Sequence, residues 1–488
     1  MYITKDIAEN KKRMEEIFVD CGDIIFRDFM AADGRALFLV FTDNMVKSES
    51  IEESILTNVM NRCKKEEATG LLPSLTQQVI SNFDMVQIDT FEKAAEGVLS
   101  GDTLIFMEGN GYAMEASTRA YPSRGVGKAE TEVVVQGPKD AFTELLACNL
   151  VLIRRRIRDT RLKVKQKRVG RMGNNDIAVM YLSHLVRPAI LAKVEKQLDK
   201  MQIKGVLDSG TVEQLLEKRQ LSPFPQLQMT ERPDKAAAAL MEGRIVVVVD
   251  NTPFVILLPA TLNIFFQAAE DYYERWEIMS FIRILRYGAA FFAVALPGLY
   301  IALTVYHPGL LPTALAVQIA KTRLHIPFSV VSEVVVMELA FELLREAGIR
   351  LPSPVSSTVG IVGGIIIGSA AVEAGLVSPA VVIISALTGI CTFVIPNAAV
   401  VSGLRLSKYG VMLLSAVWGL FGFWLGMLLL LVHLAGLSSY GIPYLYPFCS
   451  ATIHDDKDLE DSIIRMPLAK LQGHSVFRKG QKEKGGGV

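Results

Sequence analysis

The sequence predicts an α+β/α membrane protein: N-terminal cytosolic, duplicated α/β subdomains, then an all-α transmembrane domain of about four main spans plus an amphipathic or re-entrant helix. Charged residues make up 21% of the 488-residue chain but become sparse after Trp276. Four stretches beyond that point contain no charged side chain: Tyr287–Tyr306, Leu351–Val372, Ala374–Leu404 and Tyr409–Gly436. Because a helix needs about 20 apolar residues to cross the bilayer core, these stretches are long enough to span it.

Composition divides the chain into five segments. They are a first soluble α/β subdomain (1–120), a linker with a basic helix (121–164), a second soluble α/β subdomain (165–275), the transmembrane domain (276–448) and a cytosolic tail with a disordered end (449–488). The N-terminal residues are charged and lack the apolar core of a signal peptide, so we expect the soluble region in the cytosol. Basic and acidic residues are equal in number at 51 each, which gives no reason to expect a nucleic-acid partner.

The soluble half contains an internal duplication. Residues 93–101 and the following 104–113 match residues 235–243 and 246–255 without a gap, at an offset of 142 residues. Both copies read as a helix ended by a glycine, then a strand, a tight turn and a second strand. We therefore predict two similar subdomains over roughly 25–120 and 165–260. The alternative is a chance similarity of two helix–hairpin units.

A cluster of arginines follows the first subdomain. It consists of Arg154, Arg155, Arg156 and Arg158. These side chains could form a solvated helix face, or they could contact anionic lipid headgroups or acidic residues of a neighbouring subunit. Nearby, Gly127-Lys128 is similar to the end of a phosphate-binding loop, but Pro122 and Ala129 replace residues that such a loop requires. A nucleotide site is therefore not expected.

The sequence offers no catalytic, metal or cofactor site. The six histidines are dispersed, neither HExxH nor GxSxG occurs, and the five cysteines form no CxxC pair. These absences argue against an enzyme, a zinc site and a disulfide framework, and the cysteine pattern favours a reducing compartment.

Several longer motifs resemble one family, the A subunits of GerA-type spore germination receptors (the GerA/SpoVAF family). The resemblance covers about residues 100–450, and its motifs are Ser222–Lys235, Asp271–Arg275, Met337–Gly348 and Val359–Gly364. The chain departs from the family pattern at 126–128 and 136–141, which leaves the role of that loop open.

The resemblance implies a subunit of a nutrient receptor in the inner membrane of bacterial endospores. Family A subunits are thought to form homo-oligomers that conduct monovalent cations, together with a transporter-like B subunit that binds the nutrient and a lipoprotein C subunit. Two alternatives stay open: a non-conducting scaffold subunit of the receptor, and a paralogous spore-membrane ion channel. A secondary transporter is disfavoured because the spans show no inverted repeat.

One predicted membrane helix carries acidic residues. Glu338, Glu342 and Glu346 are spaced i, i+4, i+8 and share a helix face. Because rings of acidic side chains select cations, Glu338 and Glu342 are candidate pore-lining residues. The alternative is an amphipathic helix lying at the membrane surface with its acids in water.

The stretch Leu351–Val372 is a second candidate for the pore wall. Its glycines at 360, 364 and 368 follow the small-xxx-small pattern of close helix packing. On this helix Val359, Val362 and Ile366 could form an apolar constriction that closes by dewetting. Plain helix–helix packing explains the same pattern.

Replacing Val362 by alanine should cause ion leak, because a smaller side chain admits water to an apolar constriction. Ion flux from liposomes that contain the purified protein measures this. Unchanged flux would favour plain helix packing.

Overall fold

The computed structural model describes residues 1–31, 34–46, 85–120, 127–201, 203–350, 368–449, 461–467 and 476–478. Within it the chain forms two compact units. Unit 1 comprises residues 1–218, 227–260 and 473–488, and unit 2 comprises residues 219–226 and 261–472.

Unit 1 contains two five-stranded antiparallel sheets of identical strand order. The first sheet runs β1-β2-β4-β5-β3 and the second runs β6-β7-β9-β10-β8. The first set of elements is α1 (Ile7–Ile17), β1 (Ile24–Met30), β2 (Ala36–Thr42), β3 (Met85–Ile88), α2 (Phe91–Ser100), β4 (Thr103–Met107) and β5 (Ala113–Ala116). The second set is α3 (Leu146–Arg154), β6 (Leu162–Val169), β7 (Asn175–Leu182), α4 (Pro188–Asp199), α5 (Ser209–Leu216), β8 (Gln228–Thr230), α6 (Pro233–Met241), β9 (Ile245–Val249) and β10 (Val255–Leu258).

The local signals that predicted this duplication have clear physical roles. Thr90 caps the start of α2, and Gly101 ends the helix with φ 89°, a conformation that suits glycine. Gly243 follows α6 with φ 87°. The central strands β4 and β9 are buried along their whole length, which explains their continuously apolar sequences.

Unit 2 is mainly helical. Its helices are α7 (Leu262–Phe265), α8 (Trp276–Ile301, continued by a π turn at Ala302–Tyr306), α9 (Thr313–Thr322), α10 (Val330–Arg350), α11 (Pro379–Phe393) and α12 (Ala398–Ala435), followed by the short strands β11 (Ser438–Ser439) and β12 (Ile442–Pro443). Among the described residues two helical stretches, Trp276–Tyr306 and Ala398–Ala435, are long and apolar enough to cross a membrane, and the second is interrupted at Gly419.

Helix α12 reverses direction at Gly419, whose φ of 61° and ψ of −134° are not helical. In a straight helix Val411 and Gly426 would lie about 22 Å apart. Instead, a Cβ atom on Gly426 would lie 3.1 Å from the Cα of Val411, and one on Gly422 would collide with the carbonyl of Leu414. The two arms of α12 therefore pack against each other as a helical hairpin.

This reversal corrects the sequence-based assignment of spans. The stretch Tyr409–Gly436, expected as one span, contains the turn and parts of both arms. The stretch Ala374–Leu404 is also divided, because α11 ends at Phe393 and a new helix starts after Asn397, whose side chain accepts hydrogen bonds from two backbone N–H groups. Most of Leu351–Val372 lies outside the described residues, so the number of spans stays a prediction.

Helix α10 is packed in the helical bundle over its first half rather than lying on the bundle surface. Val330, Val334 and Met337 are buried together with side chains of α8, α11 and α12. This half of α10 therefore packs against other helices, and its position across or along the membrane stays a prediction.

Two segments differ from the predicted boundaries. Residues 261–275, assigned by sequence to the second soluble subdomain, belong to unit 2. Parts of the tail are packed against the rest of the chain. Arg465 is buried in unit 2, and Val476 and Phe477 are buried in unit 1. The predicted disordered end falls on 479–488, outside the described residues.

Gly422→Ala should destabilise the hairpin, because the added methyl group meets the carbonyl of Leu414; overpacking of this kind typically costs about 1–3 kcal/mol. Gly410→Ala is the matched control, since a Cβ atom there has nothing within 4 Å. Thermal unfolding of both purified variants in detergent measures the difference. Equal melting temperatures would contradict the contact between the arms.

Candidate functional site

The two predicted pore-lining acids lie between apolar helices, and each meets a cation from another helix. Glu338 on α10 accepts a hydrogen bond from Nζ of Lys408 on α12, and the two residues are only 3% and 4% exposed. One turn along α10, Glu342 pairs with Arg405, whose Nε lies 3.1 Å from Oε2. Glu338 and Glu342 therefore share a helix face, as predicted, and that face is directed towards the first arm of α12.

A third acid joins the beginnings of two helices. Glu333, 1% exposed, forms an ion pair of 3.0 Å with Arg323. Its other carboxylate oxygen accepts a hydrogen bond of 2.9 Å from the backbone N–H of Ser378, the N-cap residue of α11. A carboxylate at this position satisfies an otherwise free donor and suits the positive end of the helix dipole.

Lys408 and Arg405, the basic partners of these acids, were not among the residues predicted from the sequence. Both were read only as the boundary between two uncharged stretches. Arg405 and Lys408 lie three residues apart on one helix, and Glu338 and Glu342 lie four residues apart on another. This matching spacing is the sequence signal that could have predicted their pairing. The predicted constriction residues Val359, Val362 and Ile366 lie outside the described residues, so that part of the predicted pore stays a proposal.

A second charged network lies at the beginning of α8. Asp271 accepts from Arg283 Nε at 2.9 Å and from Arg286 at 2.8 Å, and Asp461 accepts from Arg283 at 2.7 Å. The ring of Tyr272 lies 5.6 Å from the guanidinium carbon of Arg283. Arg283 and Arg286 are thus structural residues, and both pair with Asp271 of the family motif Asp271–Arg275.

The arginine cluster 154–158 divides into buried and exposed members. Arg154, at the end of α3, is fully buried and pairs with Asp23 through two hydrogen bonds of 2.7 and 2.9 Å. It is therefore an interior residue, and the prediction that it contacts lipid headgroups or another subunit is wrong. Burial also raises the pKa of the neighbouring Cys21 thiol.

The other three arginines have different surroundings. Arg156 is half-buried and donates two hydrogen bonds of 2.8 Å to the carboxylate of Asp140. Arg155 and Arg158 are exposed, and their predicted contacts with a subunit or with headgroups stay predictions.

The loop that departs from the family pattern is anchored to the second subdomain of unit 1. Glu231 accepts hydrogen bonds from the backbone N–H groups of Thr131 and Glu132, at 2.5 and 2.8 Å. Burial acts to raise the pKa of Glu231, but a hydrogen bond from the Thr131 hydroxyl, together with these backbone bonds, outweighs it and lowers that pKa. Arg232 donates to the carbonyl oxygens of Glu132 and Pro138. In the part of the loop that the structure describes, 127–141, Glu231 and Arg232 of the family motif Ser222–Lys235 are anchors, and Arg156 adds its ion pair with Asp140.

Comparison with known proteins identifies the family. The family model for the Bacillus/Clostridium GerA spore germination protein matches residues 12–476. The chain belongs to the GerA family. The resemblance seen in the sequence is thereby confirmed, and the chain is a membrane protein of the germination-receptor A-subunit family, not an enzyme.

Two relatives from Bacillus subtilis (strain 168) illustrate the range of the family. The uncharacterized membrane protein YfkQ is 36% identical over 489 residues, which covers 99% of this chain and 93% of that protein. Spore germination protein KA is 37% identical over 467 residues, which covers 95% of this chain and 84% of that protein. Among solved structures, one match is the N-terminal domain of the A subunit of the Bacillus megaterium spore germinant receptor GerK3, with 27% sequence identity and a TM-score of 0.44. The match covers 54% of this chain and 98% of the GerK3 domain.

Arg154→Met should destabilise unit 1 by about 3–5 kcal/mol, because it leaves the buried carboxylate of Asp23 without its cation. Arg158→Met, an exposed arginine of the same cluster, is the matched control and should change stability by less than about 0.5 kcal/mol. Pulse proteolysis of the full chain across a urea series measures both. Equal losses of stability in the two variants would contradict the structural role of Arg154.

Proposed function

We propose that this GerA-family chain is the channel-forming A subunit of a nutrient-gated germination receptor in the inner membrane of the endospore. It would release monovalent cations when a partner subunit binds the germinant. In this proposal unit 1 lies in the cytosol and unit 2 contains the spans that surround the pore.

The observation that carries the proposal is the pair of acids, Glu338 and Glu342, on a helix packed among apolar helices. Charged side chains at membrane depth are costly, and where they occur they usually serve an ion pathway or a proton relay. Acidic side chains favour cations over anions. The candidate constriction at Val359, Val362 and Ile366 would supply the closed gate.

The reversal in α12 supports a cytosolic tail. Gly403 at the beginning of α12 packs against Pro223 and Phe224, while His433 near its end bonds Ser222 at 2.9 Å. Both ends of α12 therefore meet the segment 219–226, so the chain leaves α12 on the side where it entered. With this hairpin α10 can be an additional span without moving the tail to the other side of the membrane.

The proposed partners follow from the family. They are further copies of this chain, a transporter-like B subunit and a lipoprotein C subunit. Helix α9 supports additional contacts, because the described residues bury none of its side chains, and Leu315 and Val317 are exposed. Arg155 and Arg158 remain candidate contacts with a neighbouring subunit or with headgroups.

Cation flux from liposomes tests the proposal. Val362→Ala should raise the flux, and Glu338→Gln should change the flux or its selectivity for cations over anions. Val417→Ala is the matched control for the valine substitution, since Val417 is 61% exposed on α12. Absence of flux from folded, oligomeric protein, even when the B and C subunits are present, would contradict the channel and favour the non-conducting scaffold.

A further inference from the structure

The ion pair between Glu338 and Lys408 leaves one carboxylate oxygen unused. Lys408 bonds Oε2, whereas Oε1 of Glu338 is buried without a hydrogen-bond partner among the described residues. The Lys408 Nζ atom also lies 5.0 Å from the centroid of the Tyr409 ring, within the range of a cation–π interaction. The ammonium group thus rests between a carboxylate and an aromatic face.

The neighbouring pair on the same two helices is built differently. Arg405 donates a hydrogen bond of 3.1 Å from Nε to Oε2 of Glu342, and its Nη2 atom lies against Oε1, so both carboxylate oxygens face the guanidinium group. These two side chains are also partly exposed, 22% and 31%, whereas Glu338 and Lys408 are buried. Of these two carboxylates, that of Glu338 therefore has a spare oxygen in a buried environment.

We propose that Glu338 and Tyr409 form a site for a monovalent cation of the potassium class, and that the Lys408 ammonium fills this site as a tethered cation. An ammonium group and a potassium ion carry the same charge and have similar sizes, and both are attracted to carboxylates and aromatic faces. A single carboxylate with few oxygen ligands is a poor site for Ca²⁺, which takes six to eight.

The burial of Glu338 couples departure of Lys408 to arrival of another cation. Removing one partner of a buried ion pair is strongly destabilising, because the other charge stays buried and uncompensated. Lys408 can therefore leave only if a free cation or a proton takes its place. A place for this exchange on a conduction path rests on the proposed function. Cation binding at the site does not depend on that function.

Thermal unfolding of the purified full-length chain in KCl and in N-methylglucamine chloride of equal ionic strength tests the site. The melting temperature of the wild type should be the same in both salts. Lys408→Gln should melt at a lower temperature in N-methylglucamine chloride and should recover with a saturating dependence on KCl concentration. Glu338→Gln/Lys408→Gln should show no difference between the salts.

Arg405→Gln is the matched control, because the carboxylate that it releases is 31% exposed on this chain, whereas that of Glu338 is buried. A potassium response equal to that of Lys408→Gln would show that any released carboxylate binds cations, and would overturn the proposal. So would a Lys408→Gln protein that is folded by circular dichroism and insensitive to potassium, since a proton would then occupy the site. Lys408→Met, which keeps the aliphatic stem, provides the same test if Lys408→Gln does not fold.

Flux measurements on the same variants separate the two proposals. Potassium-dependent stabilisation of Lys408→Gln together with potassium flux above the wild-type level supports both the site and the channel. Stabilisation without flux from any variant, with B and C subunits present, supports the site and overturns the channel.

Discussion

A carboxylate buried between apolar helices needs a cation from elsewhere in the chain, because leaving it unpaired costs several kcal/mol. In unit 2 this requirement determines which helices meet and in which register. Glu338 and Glu342 of α10 match Lys408 and Arg405 of α12, while Glu333 connects α10 to Arg323 and to the N-terminus of α11. Apolar side chains alone could slide past one another, whereas these pairs fit in one arrangement.

The same rule operates in unit 1. Arg154 pairs with Asp23, a residue 131 positions earlier in the chain, and so joins the first subdomain to the helix that precedes the second. Backbone hydrogen bonds between Gly22 and Val164, and between Val164 and Asp20, follow the same junction. A duplicated domain thus has its two copies connected by one buried charge pair and a short stretch of backbone pairing.

Local features of this fold could be predicted from the sequence, but partners distant in the chain could not. The glycines that end α2 and α6, the strands after them and the acidic face of α10 depend on neighbouring residues and were visible. Lys408 lies 70 residues from Glu338, so no pattern of neighbouring residues predicts their pairing. The turn at Gly419 was also hidden, because hydropathy records the composition of an apolar stretch and not its direction. Arg154 looked like its exposed neighbours because burial depends on tertiary packing.

The turn in α12 has a consequence for the order of biosynthesis. A reversal inside a helix frees backbone carbonyl groups, and in the folded chain the hydroxyl of Tyr306 donates to the carbonyl oxygens of Ala416 and Val417, at 2.5 and 3.2 Å. The Tyr306 ring also packs against Gly419, close to the space that a side chain there would need. Tyr306 belongs to the end of the first long helix, which leaves the ribosome more than a hundred residues before the turn. The first long helix of unit 2, synthesised before the hairpin, therefore supplies the hydroxyl group that satisfies the carbonyl groups at the turn.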